Sequence, residues 1–163
     1  MTRAVLVVLC LVLLGLALLG MRRGWRNRMA RQSVLAPLPG VPAELGEELL
    51  RAEGLYVGTS FASSWQDRVV HDGLGLRAAA AAALYPAGLL VERDGAEPIF
   101  VPSSTWIAAR LAPGLTGKVM GDGGLLVLRW RLGEAELDTA FRADDKTTYP
   151  ALVAAINERV TTP

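Results

Sequence analysis

Between Ala4 and Met21 the chain runs for eighteen residues without a charge, AVLVVLCLVLLGLALLGM, and five arginines stand among residues 21–32, MRRGWRNRMARQ. As a helix, the run spans about 27 Å. That is close to the bilayer's hydrocarbon core of about 30 Å, and arginine side chains reaching to the headgroups close the gap. A segment apolar on every side at the very N-terminus suits no soluble core, so residues 1–21 are expected to form a transmembrane helix. A cleavable export signal also begins with a positive charge and an apolar stretch. Here the run exceeds the usual apolar region of about 7–15 residues, no A-x-A-like site follows, and arginines crowd the place where cleavage would occur. An uncleaved anchor is the better reading.

The arginines also give a direction. Arg22, Arg23, Arg26, Arg28 and Arg31 follow the span, whereas only Arg3 and the terminal amine precede it. Cationic side chains near a span stay on the cytoplasmic side. The expected topology is therefore single-pass in the cell (inner) membrane, with the N-terminus outside and the domain in the cytoplasm. Trp25 suits the headgroup zone, and the arginine collar is a candidate site for anionic lipid.

The balance of charge changes along the chain. Residues 1–40 hold six arginines and no acid, whereas residues 41–163 hold all sixteen acids against eleven lysines and arginines. An acid-rich domain is a poor partner for nucleic acid, which needs a basic face to neutralise phosphates. The single cysteine, Cys10, cannot make an intrachain disulfide. Leu9 stands where a lipoprotein signal requires a small residue, which argues against lipidation of Cys10.

Residues 22–43 read as a basic juxtamembrane stretch and a proline-rich spacer, with Pro37, Pro39 and Pro42 in QSVLAPLPGVPA. AELGEELL (43–50) is expected to make a turn or two of helix where the domain, residues 44–163, begins. Short alternating runs then follow between glycines and prolines: LYVGTSF (55–61), LLVERDG (89–95), PIFVP (98–102) and TWIAARL (105–111). Asp94-Gly95 is a strong hairpin signal. In TWIAARL, alternation puts Thr105, Ile107, Ala109 and Leu111 on one face, with Trp106 and Arg110 on the other. Gly121–Gly124 reads as a turn. LRAAAAAAL (76–84) allows a helix by propensity, yet in this company a strand is expected.

LLVLRWRLGEAELDTAF (125–141) specifies the clearest hairpin. A turn at Leu132-Gly133 sets Arg131 against Glu134, Arg129 against Glu136, Trp130 against Ala135 and Leu128 against Leu137, with Trp130 on the core face. The chain closes with DDKTTYPALVAAINERV (144–160). Pro150 suits a first helical position. Leu152, Val153, Ile156 and Val160 form an apolar stripe, and Asn157 and Glu158 lie on the polar side. Roughly seven strands and one final helix suggest a small barrel or sandwich closed by that helix.

The stretches GLYVGTSFASSWQDRVVHDGLG (54–75), GLLVERDG (88–95), GLLVLRWRLGEAELDTAFR (124–142) and YPALVAAI (149–156) resemble the bacterial pleckstrin-homology-like (PH-like) domains of single-span actinobacterial membrane proteins. The resemblance implies a mainly-β domain, an open barrel of about seven antiparallel strands capped by a C-terminal α-helix. It also implies a protein without catalytic activity. Eukaryotic members of the fold bind phosphoinositides through basic residues at the first hairpin. Residues 52–67 hold no lysine or arginine, so that property does not carry over, and fold alone never warrants a function.

No G-x-S-x-G, H-E-x-x-H or P-loop pattern occurs in the sequence. His71, between Asp67 and Asp72, could serve a lone metal or a His–carboxylate pair, but an ordinary loop histidine is the plainer reading. Trp65-Gln66-Asp67-Arg68, placed on a loop, combines residue types that dominate interaction hot spots. Its plain alternative is that Trp65 plugs one end of the barrel and Arg68 pairs with an acid. Trp65, Arg68 and His71 are the candidate interaction residues. The expected function is a non-enzymatic, membrane-anchored module, without cofactor or metal, that offers a surface to a protein or ligand at the cytoplasmic face. The rival reading is an exported small-ligand-binding domain released from a signal peptide.

Overall fold

A computed structural model of the chain describes residues 12–23, 35–115, 118–119 and 124–161, without the side chains of Trp65, residues 114–119 and residue 161. Two compact units divide at residues 34 and 35. In the first, residues 12–23 form a helix, α1, with Val12, Leu13, Leu14, Leu16, Leu18, Leu19 and Met21 exposed. Arg22 and Arg23 are its last described residues. Among the described residues no helix is long and apolar enough to cross a membrane. Residues 1–11 of the expected transmembrane helix lie outside the described residues, as do Trp25, Arg26, Arg28 and Arg31.

The second unit is an open antiparallel sheet. Its strands are β1 (Leu50–Phe61), β2 (Ser64–Arg68), β3 (Ala78–Tyr85), β4 (Gly88–Arg93), β5 (Ile99–Pro102), β6 (Trp106–Ala112), β9 (Leu125–Leu132) and β10 (Ala135–Ala143); β7 (Gly114–Leu115) and β8 (Lys118–Val119) pair separately. The order across the main sheet is β5-β4-β3-β1-β10-β9-β6, with β2 folded back on β1. The sheet is open, as the resemblance implied, and it does not close into a barrel: β5 and β6 end it on either side. The final helix, α2 (Tyr149–Thr161), packs on β6. Leu152 and Ile156 of its apolar stripe are buried with Tyr56, Trp130 and Leu137 in one core.

The alanine run is a strand, and its pairing explains its composition. Ala83 faces Arg51 of β1, and Ala81 faces Glu92 of β4. Arg51 reaches across β3 to Glu92 at 2.7 Å, and also bonds Glu53 at 2.8 Å. Larger side chains on β3 would stand in that path. These acids raise the Arg51 pKa, through hydrogen bonding first.

Three local expectations are corrected. Residues 43–49 form no helix, because Leu49 donates its N–H to Leu84 O and the following residues pair with β3. The β9–β10 turn falls at Gly133-Glu134, so Leu132 faces Ala135, Arg131 faces Glu136 and Arg129 faces Asp138. Gly133, at φ +59, takes the first central position, where a two-residue hairpin of type II′ needs a glycine. The slip is one full pair, so every side chain keeps its expected face. In β6 a register shift between Trp106 and Ala108 breaks strict alternation, and Trp106 and Ala109 are both buried.

The described part of the proline-rich segment, residues 35–43, forms neither helix nor strand, and it is not a free tether. Leu35 is buried in the core, and Ala36 and Leu38 pack against it. Ala36 lies beside the β9–β10 turn, 3.4 Å from where a side chain on Gly133 would begin.

Candidate functional site

Between Phe61 and Ala78 the chain makes an excursion containing β2 and a 3₁₀ turn, His71–Gly73. Trp65 and Arg68 thus lie on a short strand rather than a loop, because residues 60–61 of β1 pair with it. The excursion is pinned from several sides. Val69 and Leu74 are fully buried. Val69 N–H donates to Thr59 O at 2.9 Å, and Thr59 N–H to Leu74 O at 3.0 Å. Tyr56 Oη donates to Leu74 O at 2.6 Å, and Arg68 Nη1 donates to Gly75 O at 2.8 Å.

Arg93, which the sequence reading did not single out, is the main clamp. Its guanidinium is buried, lies 5.2 Å from the centroid of the Tyr56 ring, and donates to Gly73 O at 2.6 Å. Nε and Nη2 both donate to Glu97 O. One side chain of β4 therefore holds the 3₁₀ turn and the β4–β5 connection together.

The other candidate residues are used locally. His71 Nε2 lies 3.2 Å from Asp72 Oδ2, with the two side chains 31% and 43% exposed. Asp72 sits at φ +48, a left-handed conformation that aspartate tolerates better than most residues. Among the described residues no group of three or more His, Cys, Asp or Glu is placed to hold a metal. Arg68 and His71 each bond within the excursion, and the side chain of Trp65 lies outside the described atoms.

What the clamped excursion offers outward is apolar. Val70 is 54% and Leu76 61% exposed, the highest values among the domain's large hydrophobic residues that are described. At the start of the excursion, Phe61, Ala62 and Ser63 line a pocket of about 370 Å³ with Arg129, Ala135 and Glu136. A larger open groove, about 770 Å³, runs between Ser103, Ser104 and Trp106 on one side and Glu158–Val160 of α2 on the other.

Two buried polar clusters lie beneath these surfaces. On the core face, Tyr56 donates to Leu74 O, so its oxygen accepts from Thr59 Oγ1 at 2.8 Å. Thr59 in turn accepts from Thr139 Oγ1 at 2.8 Å, and Thr139 from Trp130 Nε1 at 2.9 Å. Burial pushes the Tyr56 phenol up to about 12. On the opposite face, Asp138 is buried and accepts from Arg129 Nε and Nη2 and from Arg110 Nη2 at 2.8–2.9 Å. Ser60, directly opposite Asp138 in the register, is buried with its hydroxyl unbonded among the described residues.

An open antiparallel sheet with a C-terminal helix packed on its edge strand β6 defines a small scaffold of the PH-like class. The comparison with known families agrees: the chain belongs to the family described as Bacterial PH domain-like, which it matches over residues 35–157. The match begins at Leu35, whose side chain is the first in the core among the described residues. No curated protein matches the chain.

Proposed function

We propose that this protein is a non-enzymatic interaction module, held at the cytoplasmic face of the cell membrane by its N-terminal helix, that presents the β1–β3 excursion to a protein partner. One observation carries the reading. The excursion is clamped by Arg68, Arg93 and Tyr56, yet leaves Val70 and Leu76 more than half exposed. Ordering a loop in advance lowers the entropic cost of binding, and exposed aliphatic residues on an ordered loop suit a partner rather than solvent. The uncharged run and the arginine collar support the anchoring. The collar is also the proposed contact with anionic lipid, and the acid-rich domain makes nucleic acid an unsuitable partner.

A photo-crosslinking amino acid at Leu76, introduced into the full chain in its native membranes, tests the surface. A discrete adduct is expected at Leu76 and not at the exposed Glu47, whose neighbour Gly46 lies against Pro86 beyond the other end of β3. Equal adducts at both positions would overturn the surface assignment. Placement is tested separately in a Cys10→Ala background with single cysteines at Thr2 or Thr162. Labelling of Thr162 from outside intact cells would overturn the cytoplasmic placement. A mature N-terminus beginning after residue 21 would establish the exported alternative.

A further inference from the structure

An open sheet ends in two rows of backbone donors and acceptors that invite another strand. β6 is the greater hazard, because WIAARLA is seven residues long, mostly apolar and carries a single charge. Its outer row is occupied at Ala109. The Ala109 N–H donates to Asn157 Oδ1 at 2.8 Å, and Asn157 Nδ2 donates to Ala109 O at 3.0 Å. That reciprocal pair is what a residue directly opposite would make in a hydrogen-bonded position of an antiparallel ladder. On the β5 side, Trp106 Nε1 donates to Val101 O at 3.1 Å. Packing of α2 does not call for an asparagine at 157, since Leu152 and Ile156 supply its buried contacts.

We propose that the Asn157 carboxamide is a surrogate strand residue that closes β6, and that the occupant it excludes is β6 of a second copy of this chain. The sequence of β6 fits a two-fold antiparallel pairing centred on Ala109. Arg110 would then face Ala108 of the other copy and not another arginine. Leu111, 45% exposed in the monomer, would meet Ile107. Opening requires the last turn of α2, with the partly buried Val160, to lift while Leu152 and Ile156 hold the helix ahead of Asn157. The seam is thus a guarded dimerisation surface, and the Asn157 bond pair latches the guarding end of the helix.

Sedimentation of the full chain in detergent micelles tests this, with circular dichroism to verify folding. Asn157→Ala is expected to dimerise at least tenfold more tightly than the parent. Adding Leu111→Pro should restore the parent's behaviour. Leu111 lies two residues beyond Ala109, so its N–H points to the same outer side, and proline there removes a donor without breaking the β9 ladder. An Asn157→Ala protein no more dimeric than the parent overturns the proposal, as does a dimer that Leu111→Pro leaves intact. Should Asn157→Ala fail to fold, Asn157→Asp retains the acceptor for Ala109 N–H and sets a carboxylate oxygen, in place of the donor, against Ala109 O. It is expected to dimerise to an intermediate degree, and its behaving like the parent would equally overturn the proposal.

Discussion

At Thr139 one buried hydroxyl accepts from the Trp130 indole and donates to Thr59, and so joins three strands' worth of polar atoms. Every donor in the Trp130–Thr139–Thr59–Tyr56 chain is used in one direction, ending on Leu74 O. Thr139→Val keeps the shape but strands the Trp130 N–H, which should cost about 1–3 kcal/mol in urea unfolding. An unchanged midpoint and slope would show that the relay contributes nothing net. Titration of Tyr56 gives a second prediction. Its folded pKa, about 12, lies above the ordinary tyrosine value of 10.0. The unfolded chain therefore loses its proton first, and the stability present below about pH 10 declines as pH rises through the folded value. Tyr56→Phe should flatten that alkaline decline. Part of it will remain, because Tyr149 is also shifted upward by burial. None of this relay was legible in the sequence, since Thr59 and Thr139 lie eighty positions apart and each alone looks like an ordinary strand threonine.

At the scale of elements, the sequence specified types and faces far better than pairings. β4, β5 and the β9–β10 hairpin lie where the alternation put them, and β3 where the neighbouring strands led us to expect one. Alternation reports which face a residue takes, but a slip of two residues leaves every face unchanged, so only the turn decides the register. Placing Gly133 first in the turn brings Arg129 opposite Asp138, and with Arg110 it makes a carboxylate shared by two arginines. Asp138→Ala leaves two guanidiniums beside a buried vacancy. It should cost about 1–3 kcal/mol, reduced from the fully buried case because both arginines are partly solvated. The matching control is Glu136→Ala, whose exposed pairing with Arg131 at 3.5 Å should contribute under about 0.5 kcal/mol. Similar losses in chemical denaturation for the two variants would contradict the burial argument. The crossing of β1 and β10 sets a sharper limit. A Cβ on Gly54 would collide with the backbone carbonyl of Arg142 and lie 2.8 Å from Ala143 Cα. The sequence offered Gly54 only as a break before a strand, whereas pairing makes it the point where two backbones meet. Of the candidate residues, Trp65, Arg68 and His71 could be named from the sequence and all fall in the β1–β3 excursion, whereas Arg93, which clamps it, comes from a strand whose own pattern explains it fully.

For the whole molecule, the question is where the domain starts and what that means for its attachment. Composition puts a boundary after the prolines, near residue 44, because residues 32–43 carry no charge and no strand pattern. The core begins earlier. Leu35 is 9% exposed, Ala36 and Leu38 pack against the same cluster, and the family match starts at the same residue. A leucine ahead of three prolines looks like spacer in one dimension. Only the folded sheet supplies the apolar site beside the β9–β10 turn that receives it. Burying a leucine side chain is worth about 1.5–3 kcal/mol. A fragment of residues 44–163 should therefore unfold at lower urea than one of residues 35–163, by about 2–3 kcal/mol, and Leu35→Ala in the longer fragment should reproduce most of the loss. Equal stability of the two fragments would make residues 35–43 a tether after all. A stability gap that Leu35→Ala fails to reproduce would move the contribution to Leu38 and the extended backbone. If the gap and its reproduction both hold, residues 35–43 belong to the folded domain, and the domain's boundary lies at Leu35 rather than after the prolines.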